Sequence, residues 1–254
     1  MKTEILYEDN SMLVIRKPAG LAVQSAGIGQ ADVVSELKSH LAKLPDAGRP
    51  GKGEPYLGIV HRLDQPVEGL LVFAKDKKAA ATLSKQLTEG ALNKHYYAVL
   101  CGYPDCPEGD LVDYLRKEGN VAVAVTGREQ GFADAKIAVL HYRILEEIND
   151  PSPLALADVT IGTGRFHQIR VQFAHAGFPL LGDTKYGMAA LKKAMPAQKY
   201  RGVALCAYSL ELVHPISGKK MGFRVVPKNP AFAGFAMEEL KKLTENETGI
   251  SKRG

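Results

Sequence analysis

Between two apolar runs, one ending at Val60 and one spanning Leu70 to Ala74, the chain sets His61, Arg62 and Asp64 in the stretch GIVHRLDQPVEGLLVFAKD (58–76). Charge is costly to bury unless it is paired. A fold that buries both runs as strands must therefore solvate, neutralise or employ the three side chains between them. Gln65 precedes Pro66, which biases it toward extended backbone, so the connection is a shaped loop. Loops gripped by rigid strands are where functional side chains concentrate. In such a loop Asp64 can serve as nucleophile, general base, metal ligand or plain turn former.

The rest of the chain supplies strands with a few helices among them. Ile5–Tyr7 and Met12–Ile15 are short β-type runs parted by a Glu-Asp-Asn-Ser turn cluster, and Lys17-Pro18-Ala19-Gly20 ends the second. Val33, Val34, Leu37 and Leu41 fall at helical spacing within 31–41. Residues 77–87 read as an amphipathic helix with Ala80, Leu83 and Leu87 on one face. Strands are expected over 69–74, 95–101, 154–161 and 203–213, and Val121, Val123 and Val125 alternate like a half-buried strand. Residues 221–226 pair back on 203–213 as a hairpin, and 230–243 form a closing helix. Without a regular βαβ beat, this pattern indicates an α+β fold around a mixed, largely antiparallel sheet. One catalytic-type domain over 1–243 and a polar tail over 244–254 are expected.

Composition excludes several classes. The 254 residues are 45% hydrophobic and 24% charged, enough for a sizeable core without disulfides or a structural metal. Cys101, Cys106 and Cys206 have neither disulfide-framework nor CxxC spacing and read as reduced, as in a cytoplasmic protein. The opening MKTEILYEDN is acidic where a signal peptide needs an apolar core, and no apolar run reaches the length of a membrane span. The net charge of +5 permits an acidic partner such as nucleic acid.

Two further stretches carry chemistry. In TGRFHQIRVQFAHAG (163–177), Thr163 is positioned as a helix N-cap and Gly177 as its terminator. Phe166, Ile169 and Phe173 form a stripe expected to be buried, with Arg170 beside it and His167 three residues earlier. Arg165 and Arg170 are either solvated surface charges, or one of them pairs with Asp64, as a planar guanidinium suits a buried carboxylate. In NKHYYAVLCG (93–102), Tyr96 and Tyr97 point to opposite strand faces, one inward and one outward. They are either ordinary packing aromatics, or one of them stacks on a base in a cleft.

Together these stretches resemble the RluA family of RNA pseudouridine synthases. ILYEDNSMLVIRKPAGLAV (5–23) is similar to the family's opening strands and GIVHRLDQPVEGLLVFAKD to its HRLD motif. NKHYYAVLCG is similar to its K-x-Y motif, and TGRFHQIRVQFAHAGFPLLGDTKYG (163–187) to its GR-x-HQ-[IL]-R segment and the LGD-x-x-Y that follows. The resemblance implies a pseudouridine synthase catalytic fold, a bent mixed sheet flanked by helices and loops. It implies a reaction without cofactor or metal, in which uracil is detached from ribose at N1 and reattached through C5. It makes Asp64 the essential carboxylate, packs Tyr96 against the target base, and pairs Arg170 with Asp64. Arg62 is set in the gap left by the displaced nucleotide and Arg165 supports the RNA or the loop, with His61, His167 and Gln168 as further RNA contacts. Ribosomal RNA, transfer RNA or both are the implied partners of a monomer, with no DNA and no membrane.

Two departures are visible. The family commonly has Thr-Ser-Gly after HRLD and two further residues, whereas this chain has Val67-Glu68-Gly69. Val67 loses a hydroxyl, and Glu68 is expected to add negative charge where a phosphate should pass. The chain is also expected to lack the small S4-type N-terminal RNA-binding module of many relatives. Target choice then falls to the cleft, its loops and basic residues such as Lys192, Lys193, Lys199 and Arg201. Two rival readings remain. A metal-dependent hydrolase would use His61, Asp64, His167, His175 and Asp183, although no HExxH or paired-Cys spacing groups them. A non-catalytic RNA-binding or ribosome-assembly protein on the same fold would explain Val67-Glu68 as the mark of lost activity.

Overall fold

A computed structural model describes residues 1–25, 27, 29–44, 54–125, 134–149, 152–187 and 202–237. In chain order the strands are β1 (Glu4–Glu8), β2 (Met12–Lys17), β3 (Gly58–Ile59), β4 (Glu68–Ala74), β5 (Asn93–Cys101), β6 (Glu108–Glu118), β7 (Val121–Val125), β8 (Lys136–Ile148), β9 (Leu154–Ile161), β10 (Leu205–Val213) and β11 (Lys220–Arg224). The helices are α1 (Val33–Leu41), α2 (Lys77–Thr88) and α3 (Gln168–His175). The result is an α+β fold with mixed, largely antiparallel pairing. The chain forms two compact units. Of the described residues, the first holds those within 1–94 and 207–227, the second those within 95–206 and 228–237.

In the first unit the strand order is β1-β2-β4-β10, with β3 on β4 and β11 on β10. Every residue of β2 and β4 is buried, which is why Met12–Ile15 and Leu70–Ala74 read as unbroken apolar runs. Helices α1 and α2 begin where Asp32 and Asp76 accept the backbone N–H of Ser35 and Ala79, at 2.7 and 2.8 Å. Such caps satisfy donors that a helix start leaves open. The helices bury Val33, Leu37 and Leu41, and Ala79, Leu83 and Gln86. Gly69 adopts φ +129°, and a Cβ there would lie 2.5 Å from the backbone N and O of Ala207. Only glycine fits that approach.

The second unit orders its strands β5-β9-β8-β6-β7. The register sets Tyr96 opposite Val159 and Tyr114 opposite both Val125 and Ile137. Helix α3 lies against β6 and β7, where Val171 packs with Leu115, Ala122 and Ala138.

Several expectations change. Tyr96 and Tyr97 are both buried, at 5% and 6% exposure, because β5 is covered on both faces. Helix α3 starts at Gln168, well after Thr163, because His167 takes a left-handed conformation (φ 54°, ψ 25°) that cannot continue a helix. The Thr163 hydroxyl instead donates to Gln168 and accepts the N–H of Val139. Gly177 does end the helix, at φ +93°. Phe166, placed before the helix, leaves the expected stripe and is 41% exposed, while Ile169 and Phe173 stay buried. Of the expected closing helix, Pro230–Phe232 form a 3-10 turn, and residues from 238 lie outside the described ones, as do Lys192, Lys193, Lys199, Arg201 and the tail.

Candidate active site

In the first unit, β3 and β4 pair antiparallel, Gly58 with Ala74 and Ile59 with Phe73. The HRLD segment is thus their connection. Burial alternates along it: His61 and Leu63 point inward, Arg62 is exposed and Asp64 is half-buried. The N–H of Val67 donates to the Asp64 carbonyl at 3.1 Å, closing a four-residue turn. Gly20 and Gln65 bond reciprocally: Gly20 N–H to the Gln65 carbonyl at 2.8 Å, and the Gln65 amide to the Gly20 carbonyl at 3.1 Å.

Lys17 completes this clamp. Its side chain is fully buried, and Nζ donates to the carbonyls of Pro18, Leu21 and Gln65 at 3.0, 2.7 and 3.0 Å. An ammonium has three donors, so each finds an acceptor. Burial pushes its pKa down to about 7, against the pull of the Asp64 and Glu68 charges. Sequence reading took this lysine for the end of a strand. Its signal was a cation next to an apolar run and a Pro-Ala-Gly turn.

Val67 and Glu68, where the chain departs from the resembled motif, are interior residues. Val67 is packed in the core, and Glu68 is buried with Arg16, whose Nη2 lies 3.6 Å from its carboxylate and donates to the Val226 carbonyl at 2.6 Å. The expected negative charge in a phosphate path is therefore corrected: a strand residue facing an interior arginine does not present its charge outward. Arg62 does stand exposed, with Nη2 3.5 Å from Gln24. His61 is buried, its Nε2 accepting the Val72 N–H at 3.3 Å. Burial, with the Lys94 charge adding to it, pushes its pKa down to about 3. A neutral imidazole tied to β4 braces the loop.

In the second unit, Arg170 forks onto Asp183: Nε to Oδ2 at 2.7 Å and Nη2 to Oδ1 at 2.9 Å, with side chains 4% and 0% exposed. Asp183 Oδ1 also accepts the N–H groups of Lys185 and Tyr186, at 2.9 and 3.2 Å. The Tyr186 ring lies 5.1 Å from the guanidinium carbon, and its hydroxyl accepts the Ala122 N–H and meets His167 Nδ1, each at 2.7 Å. Sequence reading met Asp183 only as a ligand-type residue, although it stands in LGD-x-x-Y, three positions before Tyr186. Nothing local in that spelling reveals a partner thirteen residues back.

The other expected residues are placed as follows. Arg165 is half-buried with Nε on the Ile137 carbonyl at 2.9 Å. Gln168 is buried. Its oxygen accepts from Thr163 and the Arg165 N–H, and its amide donates to the Val139 carbonyl. One donor of the amide is thereby bound to the protein, and Gln168 shapes the turn. His167 is likewise buried against Tyr186. The five residues of the metal reading do not form a ligand group among the described residues. His175, for example, faces Asp113 at 2.8 Å.

Comparison with known proteins follows the same lines. A family model of RNA pseudouridylate synthases matches residues 11–175. The chain is 37% identical to ribosomal large subunit pseudouridine synthase D of Zymomonas mobilis subsp. mobilis, covering 87% of this chain and 68% of that protein. The protein of the same name from Pseudomonas aeruginosa is 36% identical, with 87% and 67% covered. An RNA pseudouridine synthase of Synechocystis sp. is 38% identical, and 63% of its length is covered. Among solved structures, human RNA pseudouridylate synthase domain containing 4 superposes with a TM-score of 0.69 at 25% identity, over 89% of both chains.

Proposed function

The chain belongs to the RNA pseudouridylate synthase family, and on that premise we propose that it isomerises a uridine of ribosomal large-subunit RNA with Asp64 as the essential carboxylate. The observation that carries the reading is the clamp on the Asp64 turn, built from Lys17, Gly20 and Gln65. Holding a reactive group in one geometry is what accelerates a reaction between bound partners. The target nucleotide must leave its stack to be reached, which costs a few kcal/mol.

In the reaction the N1–C1′ bond breaks, the uracil ring turns, and a C5–C1′ bond forms. The C5 hydrogen departs as a proton and N1 ends protonated, so no atom is gained or lost. Asp64 acts as nucleophile or base, Tyr96 packs against the uracil, and Arg170 pairs with Asp64. Arg62, exposed beside the turn, fills the gap the nucleotide leaves, and Arg165 supports the RNA. His61, His167 and Gln168 complete the RNA-binding set. Transfer RNA is a second substrate class to test, and the working form is a cytoplasmic monomer.

The non-catalytic reading is not favoured. Its one argument, Val67-Glu68, is met by their places in the core and against Arg16. The experiment is incubation with ribosomal large-subunit RNA and transfer RNA tritiated at uridine C5. Release of label by the wild type is expected, with none from Asp64→Ala or Asp64→Asn while both still bind RNA. Label retained by the wild type on every RNA, or released at wild-type rate by either variant, overturns the assignment.

A further inference from the structure

The aromatic ring left outside the core has a built environment. Phe166 occupies the position that the GR-x-HQ pattern leaves open, and it is 41% exposed. Its ring stacks on the imidazole of His167, with centroids 3.8 Å apart and planes 23° from parallel. His167 is fixed in turn by its left-handed backbone, by the Tyr186 hydroxyl and by an edge-on contact with the Tyr186 ring at 5.6 Å. Tyr186 lies against Arg170. A ladder of stacked groups thus runs from the surface at Phe166 to the buried pair of Arg170 with Asp183.

The Phe166 ring also carries a cation. Lys117, exposed at the end of β6, holds Nζ 4.9 Å from its centroid. A water-exposed contact of this kind contributes little, so it yields readily to a stronger partner. A flat base offers more to the ring than an ammonium does, and a phosphate offers more to the ammonium than a ring does. A rigid exposed aromatic with a mobile lysine beside it is the combination that binds unpaired nucleotides, by stacking and by backbone charge.

We propose that Phe166 is a stacking platform for an unpaired base of the RNA substrate, with Lys117 moving from the ring to the adjoining phosphate. The proposal rests on RNA being the substrate. His167 and Tyr186 then act as the stiff backing that keeps the platform in place relative to Arg170.

The test uses the absence of tryptophan from the sequence. Phe166→Trp introduces a single indole whose fluorescence reads base stacking directly, and Phe166→Ala removes the platform. Both are made in the full chain carrying Asp64→Asn, so that binding is read without turnover. With a large-subunit RNA fragment, Phe166→Ala is expected to raise Kd about 5- to 100-fold with unchanged melting. Phe166→Trp is expected to keep the parent affinity and show quenching that saturates with the RNA. Lys117→Ala is expected to lower the slope of log K against log salt by about one. Equal affinity for Phe166→Ala and its parent, or an unquenched indole at saturating RNA, overturns the platform while tritium release by the wild type still upholds the enzyme. Failure of the wild type both to bind RNA and to release tritium removes the functional reading and the platform with it.

Discussion

Replacing Asp183 by Asn keeps the shape of the side chain, removes its charge and turns one acceptor oxygen into a donor. Arg170 and Asp183 are 4% and 0% exposed, with nitrogen–oxygen contacts of 2.7 and 2.9 Å. At an effective dielectric near 20, unit charges about 4 Å apart attract by about 4 kcal/mol. Breaking a buried pair by removing one partner typically costs about 3–5 kcal/mol, and the two figures agree. In Asp183→Asn the new NH2 faces a guanidinium N–H, so the bond is replaced by a donor–donor clash. For a chain of this size the melting temperature should fall by about 6–20 °C. Asp183→Ala also strands the N–H groups of Lys185 and Tyr186 and should be lower by about a further 1–2 kcal/mol. Urea titration measures stability, and tritium release at saturating RNA measures kcat. An arginine displaced by about 1 Å can reduce kcat about 100-fold, with RNA affinity kept. Stability within about 1 kcal/mol of wild type together with unchanged kcat would refute the claim that Asp183 holds Arg170.

Two other outcomes can be checked by simple means. The folded pKa of Lys17, about 7, lies below the ordinary lysine value of 10.5, so between these values the unfolded chain binds the extra proton. Stability should therefore rise with pH across that window, by about 2 kcal/mol from pH 7 to 9. Lys17→Met should remove this rise in urea titrations, and identical slopes for the two proteins would contradict it. Gly69→Ala forces a Cβ into the Ala207 backbone at a positive φ and should lower stability by more than about 1 kcal/mol. A melting curve matching wild type would show that this approach relaxes freely.

Apolar spacing marked most strands because β2, β4, β5 and β9 are dominated by buried residues, and a buried strand writes its environment into successive residues. The loop bearing Asp64 was legible for the same reason, since charge between two such runs has few places to go. What spacing could not convey is the partner of a side chain or the handedness of one residue. His167 in the left-handed region delays α3 and expels Phe166 from the stripe, and the enrichment of histidine in that region is too small to mark one position in advance. Asp183 and Lys17 act through contacts set by tertiary structure. Tyr96 and Tyr97 defeated the rule of opposite faces because β5 has no solvent face at either position.

The anchor that Lys17 throws around the active turn grips main-chain oxygen at position 65 and nothing belonging to any particular side chain there. That grip does not run through the side chains of Val67 and Glu68, whereas the Gln65 amide adds a bond of its own to the Gly20 carbonyl.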